Sequence, residues 1–173
     1  MQAAGPRLKE GPFKVELLAS HHPRDSFACG DADLDSYFKV LVTQDMRRHI
    51  THCFVAVNSH GQVAGYYTLA ASSVLLADLP NEVIKKLPRY PTVPVARMGR
   101  LAVSETFQAM GLGSALLADA LVRVFQSDVA AYAMVVDAKH EEAVLFYEKH
   151  GFKQFSSQPL SLWLPMKAVI SLV

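Results

Sequence analysis

Two short stretches carry residue types from which chemistry can be built. The first is Gln108-Ala109-Met110-Gly111-Leu112-Gly113-Ser114, a glycine-bearing loop that runs into Leu116, Leu117, Ala120, Leu121, Val124 and Phe125. Those apolar residues recur at helical spacing, so the loop sits at the mouth of a helix running from Ser114 to Phe125 with one face against a sheet. Glycines there let the backbone turn tightly and approach a ligand. The first-turn N–H groups have no intrahelical partner and point at whatever lies in front of them, for which a phosphate is the natural guest. The spacing is not the Walker pattern, because no Lys-Ser or Lys-Thr follows, and it lacks the first glycine of the dinucleotide fingerprint. The second stretch is Ala143-x-x-Phe146-Tyr147-Glu148-Lys149-x-Gly151-Phe152. Taken alone, Phe146 and Tyr147 read as an aromatic pair on the inner face of a helix.

The elements that must position these stretches can be read in chain order. Residues 1–12 form a flexible lead, and Phe13 to Leu18 a first strand. Asp31 or Asp33 caps a helix whose residues Leu34, Phe38, Leu41 and Val42 face inward and which ends near Arg47 and Arg48, where cations suit the helix dipole. Cys53 to Val57 and Gln62 to Ala71 pair as a hairpin about Asn58-Ser59-His60-Gly61. Pro80 to Leu87 forms a short helix, after which Pro88, Pro91 and Pro94 force an extended approach into a central strand spanning Val95 to Val103. A strand from Ala133 to Ala138, a helix from Glu141 to His150 stopped by Gly151, and a terminal strand pair at Phe152 to Ser156 and Ser161 to Met166 complete the chain. Early antiparallel hairpins and a late βαβ unit make a mixed α/β sheet flanked by helices, one domain over 13–173.

Composition permits an enzyme and excludes several other classes. The chain has 173 residues, is 51% hydrophobic and 19% charged, and carries a net charge of only +1. That is enough chain for one sizeable core. The total charge does not announce nucleic acid, although local basic patches bind it with small net charge. Two cysteines, Cys29 and Cys53, are too few for a disulfide framework, and no Cys/His spacing suggests zinc, so no metal is expected. Seven histidines show no ligand spacing; His49 and His52 read as surface or core residues or as substrate contacts. No segment reads as a signal peptide or membrane span, and reduced cytoplasm is the expected compartment.

The Gln108-x-x-Gly111-x-Gly113 loop resembles the signature of GNAT acyltransferases, and Ala143-x-x-Phe146-Tyr147 resembles the second half of their core. A longer set of residues sharpens this. Phe27-x-Cys29-Gly30, Leu34-Asp35-x-Tyr37, Gln44-Asp45, Gly65-Tyr66-Tyr67-Thr68-Leu69, Pro94-Val95, Gly99-Arg100-Leu101-Ala102-Val103, Tyr147 and Leu164-Pro165-Met166-Lys167 together resemble the GNAT-type toxins of toxin–antitoxin modules. The likeness spans Phe27 to Met166.

That resemblance implies a single-domain GNAT fold with a central, mostly antiparallel twisted sheet, and acetyl-CoA as donor. It implies that Gln108, Ala109, Met110, Gly111, Leu112, Gly113 and Ser114 cradle the diphosphate, and that Leu101, Ala102 and Val103 pair with the pantetheine arm. It further implies that His140 and Phe146 adjoin the cofactor and that Tyr147 is the general acid for the leaving thiolate. The acceptor implied is the α-amino group of an aminoacyl-tRNA, with translation arrest as the outcome. A ribbon-helix-helix antitoxin is the implied partner and a homodimer the implied assembly. Arg47, Arg48, Lys85, Lys86, Arg89 and Arg97, with Arg100, are candidates for a phosphate-binding rim, Arg100 also for a structural ion pair. One departure is chemical: Val95 to Val103 contains no Asp or Glu to serve as base. An α-amino group titrates near about 7.7–8.0 against about 10.4 for lysine, so this absence favours an aminoacyl substrate. Acetylation of a small amine or protein amine, and an inactive acyl-CoA-binding module acting through a partner, are the alternatives.

Overall fold

The computed structural model describes residues 12–172, so the lead assigned to residues 1–12 lies, Pro12 apart, outside the described residues, as does Val173. An edge strand β1 (Phe13–Leu17) pairs antiparallel with β2 (His52–Asn58), and β2 with the long β3 (Val63–Leu75). Along β2 the side chains alternate between faces without alternating in exposure. Val55 enters one core cluster while Phe54 and Ala56 enter another on the opposite face, because helices cover both sides.

Between β1 and β2 runs one helical stretch built as α1 (Ala32–Ser36), a π-helical turn (Tyr37–Leu41) and α2 (Val42–Arg47). Asp31 caps it, its Oδ1 accepting the N–H groups of Asp33 and Leu34 at 3.0 and 3.1 Å. The π turn corrects the sequence reading of this helix. The wider turn rotates less per residue and shifts the phase, so Tyr37, Phe38 and Val42 are buried while Leu41, read as inward-facing, is 46% exposed.

A short helix α3 (Asn81–Ile84) precedes β4 (Thr92–Met98) and β5 (Leu101–Val103), and this pair is the second correction. The strand expected to run unbroken from Val95 to Val103 splits at Gly99 and Arg100. Opposite it, β3 continues: Ala70 pairs with Arg97, and Tyr67 with Leu101. Between these pairs β3 has Thr68 and Leu69 against Met98, Gly99 and Arg100, one residue more, which is a bulge that re-aims the chain. On the far side β4 pairs in parallel with β6 (Ala133–Asp137), whereas β5 pairs only with β3. The sheet therefore opens into a notch between β5 and the end of β6.

Helix α4 (Leu112–Phe125) crosses from β5 to β6, starting two residues before the Ser114 read from the sequence, and α5 (Glu141–Lys149) follows β6. Strands β7 (Lys153–Gln154) and β8 (Ser161–Pro165) close the order β1-β2-β3-β4-β6-β8-β7. Leu116, Leu117, Ala120 and Leu121 of α4 pack with Val144 and Tyr147 of α5 over one face, while Phe27, Phe38 and Tyr66 fill the other. Glycine is required at Gly65, where a Cβ would meet Leu116 Cδ1 at 2.8 Å and the Ala102 carbonyl oxygen at 2.9 Å. The leucine can move, but the carbonyl belongs to β5. Gly65→Ala is expected to push β5 away and lower stability by about 1–3 kcal/mol, a fall in Tm of about 2–4 °C per kcal/mol. Unfolding with denaturant measures it, and wild-type stability would mean that β5 yields without strain.

Candidate active site

A cleft of about 240 Å³ opens in the notch. One wall is Gly99 to Val103, the other Asp137, Lys139, His140, Ala143 and Tyr147, and Cys29, Asp31, Leu34 and Gln108 complete the lining. The direction of the β5 main chain follows from its neighbours. The Thr68 N–H donates to Arg100 O at 3.1 Å and the Ser104 N–H to Ala64 O at 2.8 Å, so Arg100 and Ser104 face β3. In an extended strand the alternate groups, those of Leu101 and Val103, face the open side. Gln108 fixes that geometry, its Nε2 donating to Val103 O and to Cys29 O, each at 2.9 Å. Its side chain is thus a tether for the loop, which leaves the main chain to meet a ligand.

Beyond Gln108 the backbone takes left-handed conformations at Ala109 (φ 61°) and Gly111 (φ 79°) and then enters α4. The Gln108 N–H bonds to Glu105 O and the Ala115 N–H to Gly111 O, but the N–H groups from Ala109 to Ser114 have no protein acceptor among the described residues. A Cβ at Gly111 would meet nothing within 4 Å, so the corner is open. Unpaired amides at a helix N-terminus and an open approach suit a diphosphate. Leu112 itself is buried in the core and offers only its main chain. Phe146 lies 3.8 Å from the Cβ position of Gly113, and Ser114 Oγ lies 3.0 Å from His150 Nε2, whose other ring nitrogen is 2.7 Å from Phe146 O. That carbonyl only accepts, so His150 Nδ1 carries a proton and ties α5 to the first turn of α4.

Tyr147 is held between Phe146 and Phe152, with ring centroids 5.2 and 5.6 Å away, and is 5% exposed. Its hydroxyl has no hydrogen-bond partner among the described residues, yet it is not a sealed, unsatisfied group, because the residue lines the cleft. Burial, and secondarily the negative charge of Asp137, push the phenol well above its ordinary pKa. It is a protonated donor aimed at the cleft. His140 caps α5, its Nδ1 accepting the Ala143 N–H at 3.3 Å, so that nitrogen is engaged by the helix.

A second chamber of about 670 Å³ adjoins the first and shares Leu34, Gly99, Arg100, Asp137 and Lys139 with it, adding Tyr37, Leu41 and Arg97. Arg97 Nη1 lies 2.8 Å from both Asp137 oxygens, and Ser161 Oγ donates to Asp137 Oδ1 at 3.0 Å. Lys139 Nζ bridges across the mouth to Asp31 at 2.8 Å and Asp33 at 3.3 Å. Arg100 stacks on Tyr37, 3.4 Å from the ring centroid. It is a cation–π partner and not the ion-pair member considered from sequence.

Of the basic residues grouped from sequence, Arg97 and Arg100 enter this chamber. Arg47 and Arg48 stand at the end of α2, and Lys85, Lys86 and Arg89 follow α3; all five are exposed, and none shares a hydrogen bond or ion pair with the other groups. Asp137 and Lys139 escaped the sequence reading. The usable signal was that Asp137 ends a strand parallel to β4, where crevices in open sheets form. Among the described residues the one group with metal-ligand separation is Glu16, His21 and His22. There, His22 Nδ1 accepts the Ala19 N–H at 2.9 Å, which places the ring proton on Nε2, 2.7 Å from Glu16 Oε1. Protonated nitrogen is no ligand, so Glu16 and His22 form a hydrogen-bonded pair, with His21 3.9 Å from the same carboxylate.

Similarity to known proteins follows the same outline. A tRNA-acetylating toxin of Mycobacterium tuberculosis is 37% identical over 150 residues, 86% of this chain and 89% of that one. The structure of AtaT complexed with acetyl-methionyl-tRNAfMet superposes with a TM-score of 0.86 at 28% identity, covering 92% of this chain and 98% of that one. AtaTR bound with AcCoA gives 0.81 at 27% identity, covering 93% and 98%, and a mutant AtaT is known bound to the C-terminus of the antitoxin AtaR. No helix among the described residues is long and apolar enough to cross a membrane. The model of the acetyltransferase (GNAT) family matches residues 16–152, the span that holds the β5 notch, the open amide corner and Tyr147, and the chain belongs to that family.

Proposed function

We propose that this protein is an acetyl-CoA-dependent N-acetyltransferase that acetylates the α-amino group of aminoacyl-tRNA and acts as a toxin by blocking translation. The observation that carries this reading is the run of unpaired amides from Ala109 to Ser114 leading into a cleft that ends at the buried Tyr147. Similarity to a tRNA-acetylating toxin supports the acceptor class.

Acetyl-CoA, when bound, supplies an activated thioester. The amides of Ala109 to Ser114 hold the diphosphate. The open edge of β5 aligns the pantetheine arm, and the Val103 N–H, fixed by the Gln108 tether on the same peptide chain, donates to the carbonyl oxygen. Tyr147 holds a proton for the departing sulfur. A thiol with pKa near about 8.5 is a good leaving group, so placing the proton matters as much as its acidity. The acceptor reaches the carbonyl from the second chamber, with Arg97, Arg100 and Lys139 near the phosphates of the tRNA end. Lys85, Lys86, Arg89, Arg47 and Arg48 act farther out on the tRNA body. A ribbon-helix-helix antitoxin and a homodimer complete the proposal, consistent with the AtaT–AtaR complex.

The structure brings one carboxylate to the place where the central strand has none. Asp137 is nevertheless engaged by Arg97 and Ser161, which makes it an electrostatic anchor whose oxygens are already taken by donors. Asp137→Asn is therefore expected to lower kcat/KM for charged tRNA by about tenfold while the acid limb of the pH profile persists, because that limb belongs to the acceptor amine, which must be neutral to attack. Loss of the limb would make Asp137 the base.

The deciding experiment is acetyl transfer from acetyl-CoA to charged tRNA, followed by mass spectrometry of the released amino acid. Acetylation of free amines or protein lysines with no requirement for tRNA overturns the acceptor assignment. Acetyl-CoA binding without turnover on any acceptor would make the protein a binding module.

A further inference from the structure

The acceptor chamber gives a reason to expect a particular class of aminoacyl group, an inference that rests on the tRNA acceptor proposed above. Nearly every charge in the chamber is already matched. Arg97 is paired with Asp137, and Lys139 with Asp31 and Asp33. Arg100 is the cation with no carboxylate in ion-pair contact, and it sits over the Tyr37 ring. Three cations thus stand against three carboxylates, so the chamber has no net charge with which to recruit a charged side chain.

Apart from Ser36, what remains unpartnered is apolar. The π turn of 37–41 rotates Leu41 out of the core and into the chamber, where it is 46% exposed beside the half-buried Leu34. A regular helix through these residues keeps the register i, i+4 and i+7 of Leu34, Phe38 and Leu41 on one buried face. The wider turn instead keeps Phe38 in the core and presents Leu41 to the chamber, whose lining also includes Gly99, a residue without a side chain. π turns inside helices concentrate at functional sites, and this one has a definite product: an aliphatic surface where the acceptor must sit.

We propose that the Leu34–Leu41 wall selects aminoacyl groups with large, uncharged apolar side chains, and that Leu41 is the specificity-determining residue. Burying such a side chain against this wall strengthens productive binding over glycine by about 10- to 100-fold, the range hydrophobic pockets achieve.

The test uses a single tRNA body charged in turn with leucine, isoleucine, methionine, glycine, lysine or glutamate, so that only the amino acid varies. The purified chain is supplied with acetyl-CoA, and kcat/KM is measured for each. The expected result is at least about tenfold preference for the large apolar group over glycine, with neither lysine nor glutamate used better than glycine. Leu41→Ser is expected to bring the apolar-to-glycine ratio close to one, and Leu34→Ser to reduce it, while acetyl-CoA affinity holds; a loss of fold would lower donor affinity as well. Equal use of all the esters, preference for glycyl, lysyl or glutamyl ester, or a ratio unmoved in Leu41→Ser overturns this inference and leaves the acetyltransferase standing. Transfer to none of the esters overturns the acceptor assignment and this inference with it.

Discussion

Tyr147→Phe is expected to lower kcat by about 10²–10⁴-fold while the dissociation constant for acetyl-CoA stays close to the wild-type value. The ring accounts for the second half of that expectation. Tyr147 is wedged between Phe146 and Phe152 in the α4–α5 core, and phenylalanine fills the same space, so α5 and the neighbouring cofactor wall keep their shape. The hydroxyl accounts for the first half. It has no protein hydrogen bond to lose among the described residues, so its removal leaves no orphaned partner and no packing defect. What disappears is a proton that burial and the nearby Asp137 keep on the oxygen across the working pH range. With the proton absent, the leaving sulfur must depart as a thiolate into a partly desolvated cleft, where charge is poorly tolerated. Equilibrium titration with acetyl-CoA and single-turnover transfer separate binding from chemistry. Wild-type turnover in the variant would remove Tyr147 from the mechanism.

Gly111→Val should act at the opposite end of the cofactor and on the opposite parameter. Nothing lies within 4 Å of the position a Cβ would occupy, so the added carbon itself meets no neighbour. The difficulty is conformational. Gly111 has φ 79°, a region in which a β-branched residue is a rare outlier, and enforcing it costs about 1–3 kcal/mol. The loop already holds one non-glycine residue in this region, Ala109 at φ 61°. Refusing the turn redirects the amides between Ala109 and Ser114, so their convergence on a diphosphate is lost. The expected result is acetyl-CoA binding weakened by about 10- to 100-fold, each tenfold being about 1.4 kcal/mol, with kcat at saturating donor much less affected. Gly113→Ala is the matched control. Its Cβ would lie 3.8 Å from the Phe146 ring and 3.9 Å from Val103 Cγ2, ordinary contact distances, and its φ is not left-handed. The loop therefore keeps its shape, and folding stability should change by no more than about 0.5 kcal/mol. Undiminished affinity in Gly111→Val would place the diphosphate elsewhere.

Together the two substitutions divide the site into a donor grip and a proton source. They also show which parts of it local sequence could describe. The loop from Gln108 to Ser114, the helix after it and the helix carrying Tyr147 were legible because each is written in short-range terms: glycines where φ must turn positive, apolar residues at helical spacing, acids in a first turn. Resemblance to the GNAT pattern then gave Tyr147 a role that periodicity alone would have assigned to packing.

The notch itself was not legible. A break at Gly99 and Arg100 exists only relative to β3, whose pairing partner runs one residue longer between Arg97 and Leu101. No window of a single strand records what lies opposite it. The same holds for the charges. Arg97 meets Asp137 because β4 and β6 run parallel and adjacent, and Lys139 meets Asp31 across more than half the chain. The sequence groups Lys85, Lys86 and Arg89 with Arg97 as one candidate phosphate-binding rim, and the fold carries Arg97 on β4 and the other three after α3.

Leu41 is the sharpest case. Its helical spacing with Leu34 and Phe38 marks it as core, and it fails to enter the core because one π turn shifts the phase between two otherwise regular helices. Sequence by itself determined the parts whose conformation depends on neighbours a few residues away: the amide corner, its helix and the tyrosine-bearing helix. Tertiary structure alone decided the open edge of β5, the paired charges around it and the aliphatic wall beside them. Strand register and helix phase are settled by which packed arrangement buries the most apolar surface, and that is a property of the whole chain.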